Sequence, residues 1–259
     1  EVFDDTQAQA TKAQAMFDDG TATTLTGIPI VIKDNILFEG HIAGSASKML
    51  EHYVASYDST AIKQLKAQGA VIIGRANMDD GAMGASTENS AYGVTKHPID
   101  STRVPGGSSG GSTAAVAADL AVVALGSDTG GSIRQPSSFW GVVGMLPTYG
   151  TVSRHGLIAM ASSFDVIGPI AHTVDDAKIL YKAIAAHEPL DSTSVAREII
   201  DRPLKKRLAV PKNLFGEEGI EVEVRENFEH MVEKLKGQGF TVEEVDLPHF
   251  ADSLAVYYI

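Results

Sequence analysis

Short apolar runs alternate with helix-like stretches along most of the chain. The apolar runs have the length and composition of buried strands and cover residues 28–32, 71–73, 120–125, 142–145, 208–210 and 241–245. The helix-like stretches lie at residues 5–17, 58–68, 112–118, 173–187 and 221–236. This alternation predicts an α/β fold with a mixed or largely parallel sheet.

Capping residues support two of these helices. Thr173 and Asp176 have the spacing of a capping box at a helix N-terminus. Asp58 is expected to cap the helix that begins there, because its carboxylate can accept a hydrogen bond from an N–H group of the first turn. Gly69 is expected to end the same helix.

From residue 205 onward, the pattern of strand, long helix, glycine turn and strand predicts a peripheral βαβ unit. No internal repeat or low-complexity linker precedes it, so residues 1–259 are expected to form a single domain. The chain stops within the apolar run 255–259 without a closing turn. We therefore expect the domain to be truncated at its C-terminus.

The composition excludes several classes of function. The chain has 33 acidic and 21 basic residues, a net charge of −12, which argues against a broad nucleic-acid-binding surface. It has no cysteine, so disulfides, thiolate metal sites and a cysteine nucleophile are excluded. No apolar run approaches the ~20 residues that span a bilayer, and the N-terminus lacks a signal-peptide pattern. A cytoplasmic location without membrane contact is expected.

Two segments rich in glycine and serine, 105–112 and 127–136, are the strongest chemical signal in the chain. In each, a serine follows two glycines directly: Ser108 in the first segment and Ser132 in the second. Glycines let the backbone approach a substrate closely and direct several N–H groups at one point. This is the arrangement that an oxyanion hole needs.

Each segment also has other interpretations. Residues 106–110 match the G-x-S-x-G pattern of the nucleophile elbow, but a polar loop bounded by prolines precedes them where an elbow has a buried strand. Residues 126–132 have the outer spacing of a phosphate-binding P-loop but lack its lysine. Taken singly, either segment can be an ordinary glycine-rich loop.

Lys33 directly follows the apolar run 27–32, and this position would carry its ammonium group toward the interior. Burial disfavours the charged form, and a lysine with a lowered pKa can act as a general base. The alternatives are that its long side chain reaches the surface or that it pairs with Asp34.

Together, residues 27–35, 105–112 and 127–136 resemble the signature blocks of the amidase signature family. The order and spacing of Lys33, Ser108 and Ser132 fit that family's Lys, cis-Ser, Ser triad. Residues 78–79, 86–91, 126–136 and 147–154 are similar to the branch of the family that comprises the glutaminase subunits of tRNA-dependent amidotransferases. The resemblance implies the amidase-signature fold, with helices on both faces of the sheet, and a C-terminal half that would lie beyond Ile259.

The resemblance also implies roles for individual residues. Ser132 would attack a carboxamide carbon and form an acyl-enzyme, Ser108 would take the proton of Ser132, and neutral Lys33 would take the proton of Ser108. The Gly107–Ser108 peptide bond would be cis.

The turn around Ser132 is expected to support the reaction. Backbone N–H groups of residues Thr129, Gly130, Gly131 and Ser132 would form the oxyanion hole. Asp128 and Arg134 flank this turn and are expected to form a supporting ion pair. The alternative is that they are two independent surface charges.

The implied function is that of a glutamine amidohydrolase that supplies ammonia for converting Glu-tRNA(Gln) to Gln-tRNA(Gln). It would act in a heterotrimer with amidotransferase B and C subunits, and the tRNA would be bound mainly by a partner subunit. No cofactor or metal is expected on this chain, because the partner would use ATP and Mg. The alternatives are a stand-alone amidase acting on small aliphatic or aryl amides and a non-catalytic assembly module.

Overall fold

A computed structural model describes residues 1–97, 99–195, 205–212, 220–249 and 252–258 of the chain. These residues fall into two compact units, Glu1–Ile200 and Asp201–Ile259. The single domain predicted from the sequence concerns the whole chain and stays a prediction. The predicted truncation at Ile259 lies outside the described residues.

The first unit is built on a five-stranded sheet with the strand order β2-β1-β3-β5-β4. Its strands are β1 (Pro29–Lys33), β2 (Val71–Ala76), β3 (Val123–Asp128), β4 (Val143–Gly144) and β5 (Val166–Ala171). Its helices are α1 (Thr6–Asp18), α2 (Thr60–Ala67), α3 (Gly110–Ala117), α4 (Arg134–Trp140) and α5 (Val174–Ile184), with short 3-10 turns at Lys48–Leu50 and Asp80–Ala82. Strands β2, β1 and β3 are parallel, and β5 is antiparallel to both β3 and β4.

The second unit contains strand β6 (Arg207–Pro211), helix α6 (Val222–Gly237), strand β7 (Thr241–Val245) and helix α7 (Ser253–Tyr258). Strands β6 and β7 are parallel neighbours, so the predicted βαβ unit is confirmed. Among the described residues, β1 pairs in parallel with β2 and β3, β6 pairs in parallel with β7, and β5 is antiparallel to β3 and β4. The predicted α/β fold with a mixed, largely parallel sheet is confirmed. Among the described residues, no helix is both long and apolar enough to cross a bilayer.

Alternating side chains of the strands build a core on each face of the large sheet. On β1, Ile30 and Ile32 pack into a cluster that includes residues of α2 and α5, whereas Val31 packs on the opposite face with Ala115 and Val116 of α3. This is the period-two alternation expected of a strand buried on both faces. Helices therefore cover both faces, as the resemblance implied.

The cap of α2 is one residue later than predicted. Ser59 is the N-cap, and its hydroxyl accepts a hydrogen bond from Ile62 N at 3.3 Å. The prediction for Asp58 was wrong because its carboxylate accepts hydrogen bonds from Glu39 N and Lys66 Nζ instead. Gly69 follows the helix with a φ of +73°, which is the conformation expected of a glycine that stops a helix. At α5, the Thr173 hydroxyl accepts from Asp176 N, as predicted.

Strand β5 and helix α4 were absent from the sequence-based assignment. Both contain a proline, Pro169 in β5 and Pro136 in the first turn of α4. The Pro169 carbonyl accepts a hydrogen bond from Met145 N, on the side of the two-residue strand β4. The N–H group of a strand residue points to the same side as its carbonyl, so the N–H that Pro169 lacks would face the short edge strand and not β3. A proline in the first helical turn removes an N–H that has no intrahelical acceptor.

Candidate active site

The sheet brings the candidate residues to one edge. Because β1, β2 and β3 are parallel, their carboxyl ends lie together, and they lead to Lys33, Asp79 and Asp128 respectively. Strand β5 runs in the opposite direction, and Val166 at its start pairs with Asp128, so Asp165 lies at the same edge. One lysine and three carboxylates thus meet where the strands end.

Lys33 is fully buried, and its Nζ has three hydrogen-bond partners. These are Ser108 Oγ at 2.7 Å, Ser127 Oγ at 2.9 Å and the Ser127 carbonyl oxygen at 3.2 Å. Asp34 is paired with Arg75 and accepts hydrogen bonds from Gly44 N and Ala46 N. Lys33 therefore neither reaches the surface nor pairs with Asp34.

The environment of Lys33 lowers its pKa from the ordinary 10.5 to about 7. Burial is the main cause, because the charged ammonium loses its hydration. The carboxylates of Asp128, Asp79 and Asp165 act in the opposite direction and favour the charged form. A substantial fraction of Lys33 is consequently neutral near neutral pH, as a general base requires.

Ser108 lies in a tightly packed loop immediately before α3. The Gly107–Ser108 peptide bond is cis, as the resemblance implied, and Ser108 is fully buried. Strand β2 ends at Ala76, and none of the described residues between it and this loop lies in a strand, so the match to G-x-S-x-G is not a nucleophile elbow. A Cβ on Gly107 would collide with the Asp79 carboxylate, which explains why a glycine precedes Ser108.

The loop of Ser108 and the turn of Ser132 are tied together by backbone and side-chain contacts. Ser109 N donates to the Ser132 carbonyl oxygen at 3.1 Å, and Gly107 N donates to Gln135 Oε1 at 3.0 Å. No hydrogen bond joins the Ser108 and Ser132 hydroxyls within the described part of the chain. Ser132 itself is only 8% exposed and lies in the turn between β3 and α4.

Three of the four N–H groups predicted to form an oxyanion hole make no hydrogen bond to another described residue. Within the described ranges, the N–H groups of Thr129, Gly130 and Ser132 have no hydrogen-bond partner. The N–H of Gly131 instead donates to Asp128 Oδ1 at 2.7 Å, which removes it from the predicted set of free donors. Gly131 has a φ of +141°, so the turn needs a glycine there for its backbone conformation.

Asp128 and Arg134 form the predicted ion pair. Arg134 Nε and Nη2 donate to the two carboxylate oxygens of Asp128 at 3.1 and 3.0 Å. Burial opposes ionisation of Asp128, but hydrogen bonds from Arg134 and from Ile133 N hold the pKa of this carboxyl below its ordinary value. The pair fastens the turn that carries Ser132, and the alternative of two independent surface charges is wrong.

Several residues of the site had no role assigned from the sequence. Ser127 contacts Lys33 through both its hydroxyl and its carbonyl, and Asn35 Nδ2 donates to the same hydroxyl at 3.0 Å. Asp165 accepts a hydrogen bond from the Thr129 hydroxyl at 2.6 Å. Asp79 accepts one from Thr87 N at 3.0 Å. Two sequence signals could have found them: Asn35, Asp79 and Ser127 lie within the segments that carry the family resemblance, and all four residues lie at or just beyond a strand end.

Comparison with known proteins places this chain in a family. The family model described as Amidase matches residues 1–259. The A subunit of glutamyl-tRNA(Gln) amidotransferase from Ruminiclostridium cellulolyticum is 50% identical over 259 residues, which cover 97% of this chain and 53% of the relative. The corresponding protein of Caldanaerobacter subterraneus is 51% identical, with coverages of 97% and 53%. The chain thus spans about half the length of these relatives.

Solved structures agree in fold. The crystal structure of the A subunit of glutamyl-tRNA(Gln) amidotransferase from Thermotoga maritima has a TM-score of 0.82 and 48% identity, covering 90% of this chain and 53% of that one. The native peptide amidase of Stenotrophomonas maltophilia has a TM-score of 0.84 and 30% identity, with coverages of 99% and 55%. The chain belongs to the amidase family.

Proposed function

We propose that this chain carries the hydrolytic centre of a glutaminase subunit, which releases ammonia from glutamine for a tRNA-dependent amidotransferase. The observation that carries the proposal is the buried Lys33 amine, 2.7 Å from Ser108 Oγ, in a site that also contains the turn of Ser132. A hydroxyl is a weak nucleophile near neutral pH and needs a neighbouring base. Lys33 acting through Ser108 is that base.

In the proposed reaction, the Ser132 hydroxyl oxygen attacks the carboxamide carbon. Its proton moves to Ser108 Oγ as the Ser108 proton moves to neutral Lys33. The tetrahedral intermediate then collapses, the relay returns the proton to the departing nitrogen, and ammonia leaves. A glutamyl ester on Ser132 remains, and water hydrolyses it through the same relay to give glutamate and the free serine.

The free N–H groups of Thr129, Gly130 and Ser132 are the proposed oxyanion donors. A negative charge develops on the carbonyl oxygen in the transition state, and losing one such donor typically costs ~3 kcal/mol of stabilisation. Asp128 supports this turn by accepting from Gly131 N and Ile133 N. The donors are therefore held in place before the substrate arrives.

The choice of glutamine and of a partner rests on the relatives, whose names describe a glutamyl-tRNA(Gln) amidotransferase subunit. We propose that this chain works with B and C subunits in the cytoplasm, and that the partner binds most of the Glu-tRNA(Gln) and uses ATP and Mg. The net charge of −12 fits a chain that leaves most tRNA contact to its partner.

A stand-alone amidase is the second candidate, favoured by the similarity to a peptide amidase at 30% identity. Ammonia release from glutamine by the full-length protein separates the two. We expect release to rise strongly when partner subunits, ATP and Glu-tRNA(Gln) are added. Equal hydrolysis of small amides with and without partners would favour the stand-alone enzyme.

Partner binding in a pull-down without ammonia release or reaction at Ser132 would indicate a non-catalytic assembly module.

A further inference from the structure

Asn35 lies outside the proposed catalytic triad but is linked to it by a continuous chain of hydrogen bonds. Its amide contacts Ser127 Oγ at 3.0 Å, Ser127 Oγ contacts Lys33 Nζ at 2.9 Å, and Lys33 Nζ contacts Ser108 Oγ at 2.7 Å. Asn35, Lys33, Ser108 and Ser127 are all at most 3% exposed. Water therefore has little access to rearrange the protons in this chain.

The proposed reaction restricts which atoms can donate along this chain. A neutral lysine has two N–H groups and one lone pair, and the lone pair must face the Ser108 hydroxyl to accept its proton. The Ser127 carbonyl can only accept, so it takes one N–H. The other N–H must go to Ser127 Oγ, which is then an acceptor. Once Lys33 is protonated it has only donors, and Ser127 Oγ must again accept.

The Ser127 hydroxyl proton therefore has to point away from Lys33. If it pointed at Lys33, it would occupy the lone pair that Ser108 needs. Among the described residues, the other side chain that is hydrogen-bonded to Ser127 Oγ is the Asn35 amide. In the structure the amide nitrogen faces Ser127, and the amide oxygen is buried without a hydrogen-bond partner. Rotating the amide by 180° places that oxygen on Ser127 Oγ, where it accepts the proton.

We propose that Asn35 is a positioning residue for Lys33, which accepts the Ser127 hydroxyl proton and thereby aims the lysine lone pair at Ser108. This role rests on the proposed function. Asn35 touches neither the substrate nor the reacting atoms, so its loss should slow acylation without weakening substrate binding. Its effect should also depend entirely on the Ser127 hydroxyl.

The test measures the rate at which a fluorophosphonate acylates Ser132 in the full-length protein between pH 5 and 9. Asn35→Leu removes the amide at similar volume. We expect the plateau rate to fall about 10–100-fold, by analogy with the loss of a hydrogen-bond partner that orients a metal ligand. The KM for glutamine should change little. Ser112→Ala is the matched control, because Ser112 is equally buried and, within the described part of the chain, its hydroxyl donates to the Leu125 carbonyl and to no group of the proposed site.

A double-mutant cycle separates this role from a merely structural one. In the Ser127→Ala background there is no hydroxyl proton to place, so adding Asn35→Leu should cause no further loss. If the double variant lost acylation rate by the product of the two single-variant losses, the role of Asn35 would be overturned. A wild-type acylation rate in Asn35→Leu would also overturn it. If Ser132 is not labelled in the wild type, both this role and the proposed function fail.

Asn35→Asp supplies a second readout that does not depend on the loss of a contact. The new carboxylate keeps an acceptor for the Ser127 hydroxyl but adds a negative charge near Lys33. The carboxylates of Asp79, Asp128 and Asp165 already face Lys33, and that of Asp128 is paired with Arg134. An added negative charge favours the ammonium form, so the rise of the acylation rate with pH should move to higher pH while the plateau is largely kept. An unshifted profile would contradict the proposal.

Discussion

Among single residues, Lys33 links the chemistry of the proposed site to the stability of the fold, because its burial lowers its pKa. Full burial makes its charged form unfavourable and brings its pKa to about 7. The unfolded chain has the ordinary value of 10.5. Between these values the unfolded state binds one proton more than the folded state, so the folded state gains stability as pH rises from 7 toward 10.5. Below pH 7 both states are protonated and this contribution is constant.

The Lys33→Met variant lacks this proton and should lack its pH dependence. We expect the unfolding free energy of the wild type to rise by about 2 kcal/mol relative to Lys33→Met between pH 7 and 9. Denaturant unfolding of the full-length proteins at both pH values measures this difference. Lys12→Met, which removes an exposed lysine of α1, controls for the loss of a surface charge. Parallel pH dependences of wild type and Lys33→Met would contradict a lowered pKa.

At the scale of elements, the site depends on how the loop before α3 packs against the segment after β2. A Cβ on Gly107 would lie 2.7 Å from Ser86 N and would also meet the Asp79 carboxylate. Gly110, the first residue of α3, has no room for a Cβ beside Thr87. The Ser86 N contact of Gly107 is with backbone, which cannot yield by side-chain rotation, so a glycine at position 107 helps to set the loop position of Ser108.

Gly107→Ala should therefore shift Ser108 away from Lys33. We expect the rate of Ser132 acylation to fall by roughly 100-fold or more, because displacements near 1 Å have effects of this size on oriented groups. Gly237→Ala at the end of α6 is the control, since its added Cβ meets nothing within 4 Å. Circular dichroism of both variants verifies folding. A wild-type rate in folded Gly107→Ala would show that the packing of this loop does not set the position of Ser108.

Elements with a strong periodic pattern and residues within recognisable motifs could be predicted from the sequence. The predictions included β7 with the observed bounds and the Thr173 cap of α5. They did not include β5, because Gly168 and Pro169 interrupt the strand pattern and only pairing with β3 reveals it. Asn35 and Ser127 gain their roles from contacts across β1 and β3, which sequence periodicity does not encode.

For the whole molecule, the strand topology explains why distant segments meet. Lys33 and Ser108 are 75 residues apart in sequence, yet β1 and β2, which precede Lys33 and the loop of Ser108, are parallel, and so is β3, which precedes the turn of Ser132. Their carboxyl ends therefore lie at one edge of the sheet. This is the edge at which ligands bind in many α/β proteins. The chain spans about half the length of its relatives, so activity measurements belong on the full-length protein.

The central claim is that Ser132 is the nucleophile and that Lys33 activates it through Ser108. Its most direct test is intact-mass and peptide analysis of the full-length protein after treatment with a serine-directed fluorophosphonate. We expect a single adduct on Ser132, none in Ser132→Ala, and labelling slower by orders of magnitude in Lys33→Ala and Ser108→Ala. An adduct that persists in Ser132→Ala, or an undiminished labelling rate in Lys33→Ala, would contradict the claim.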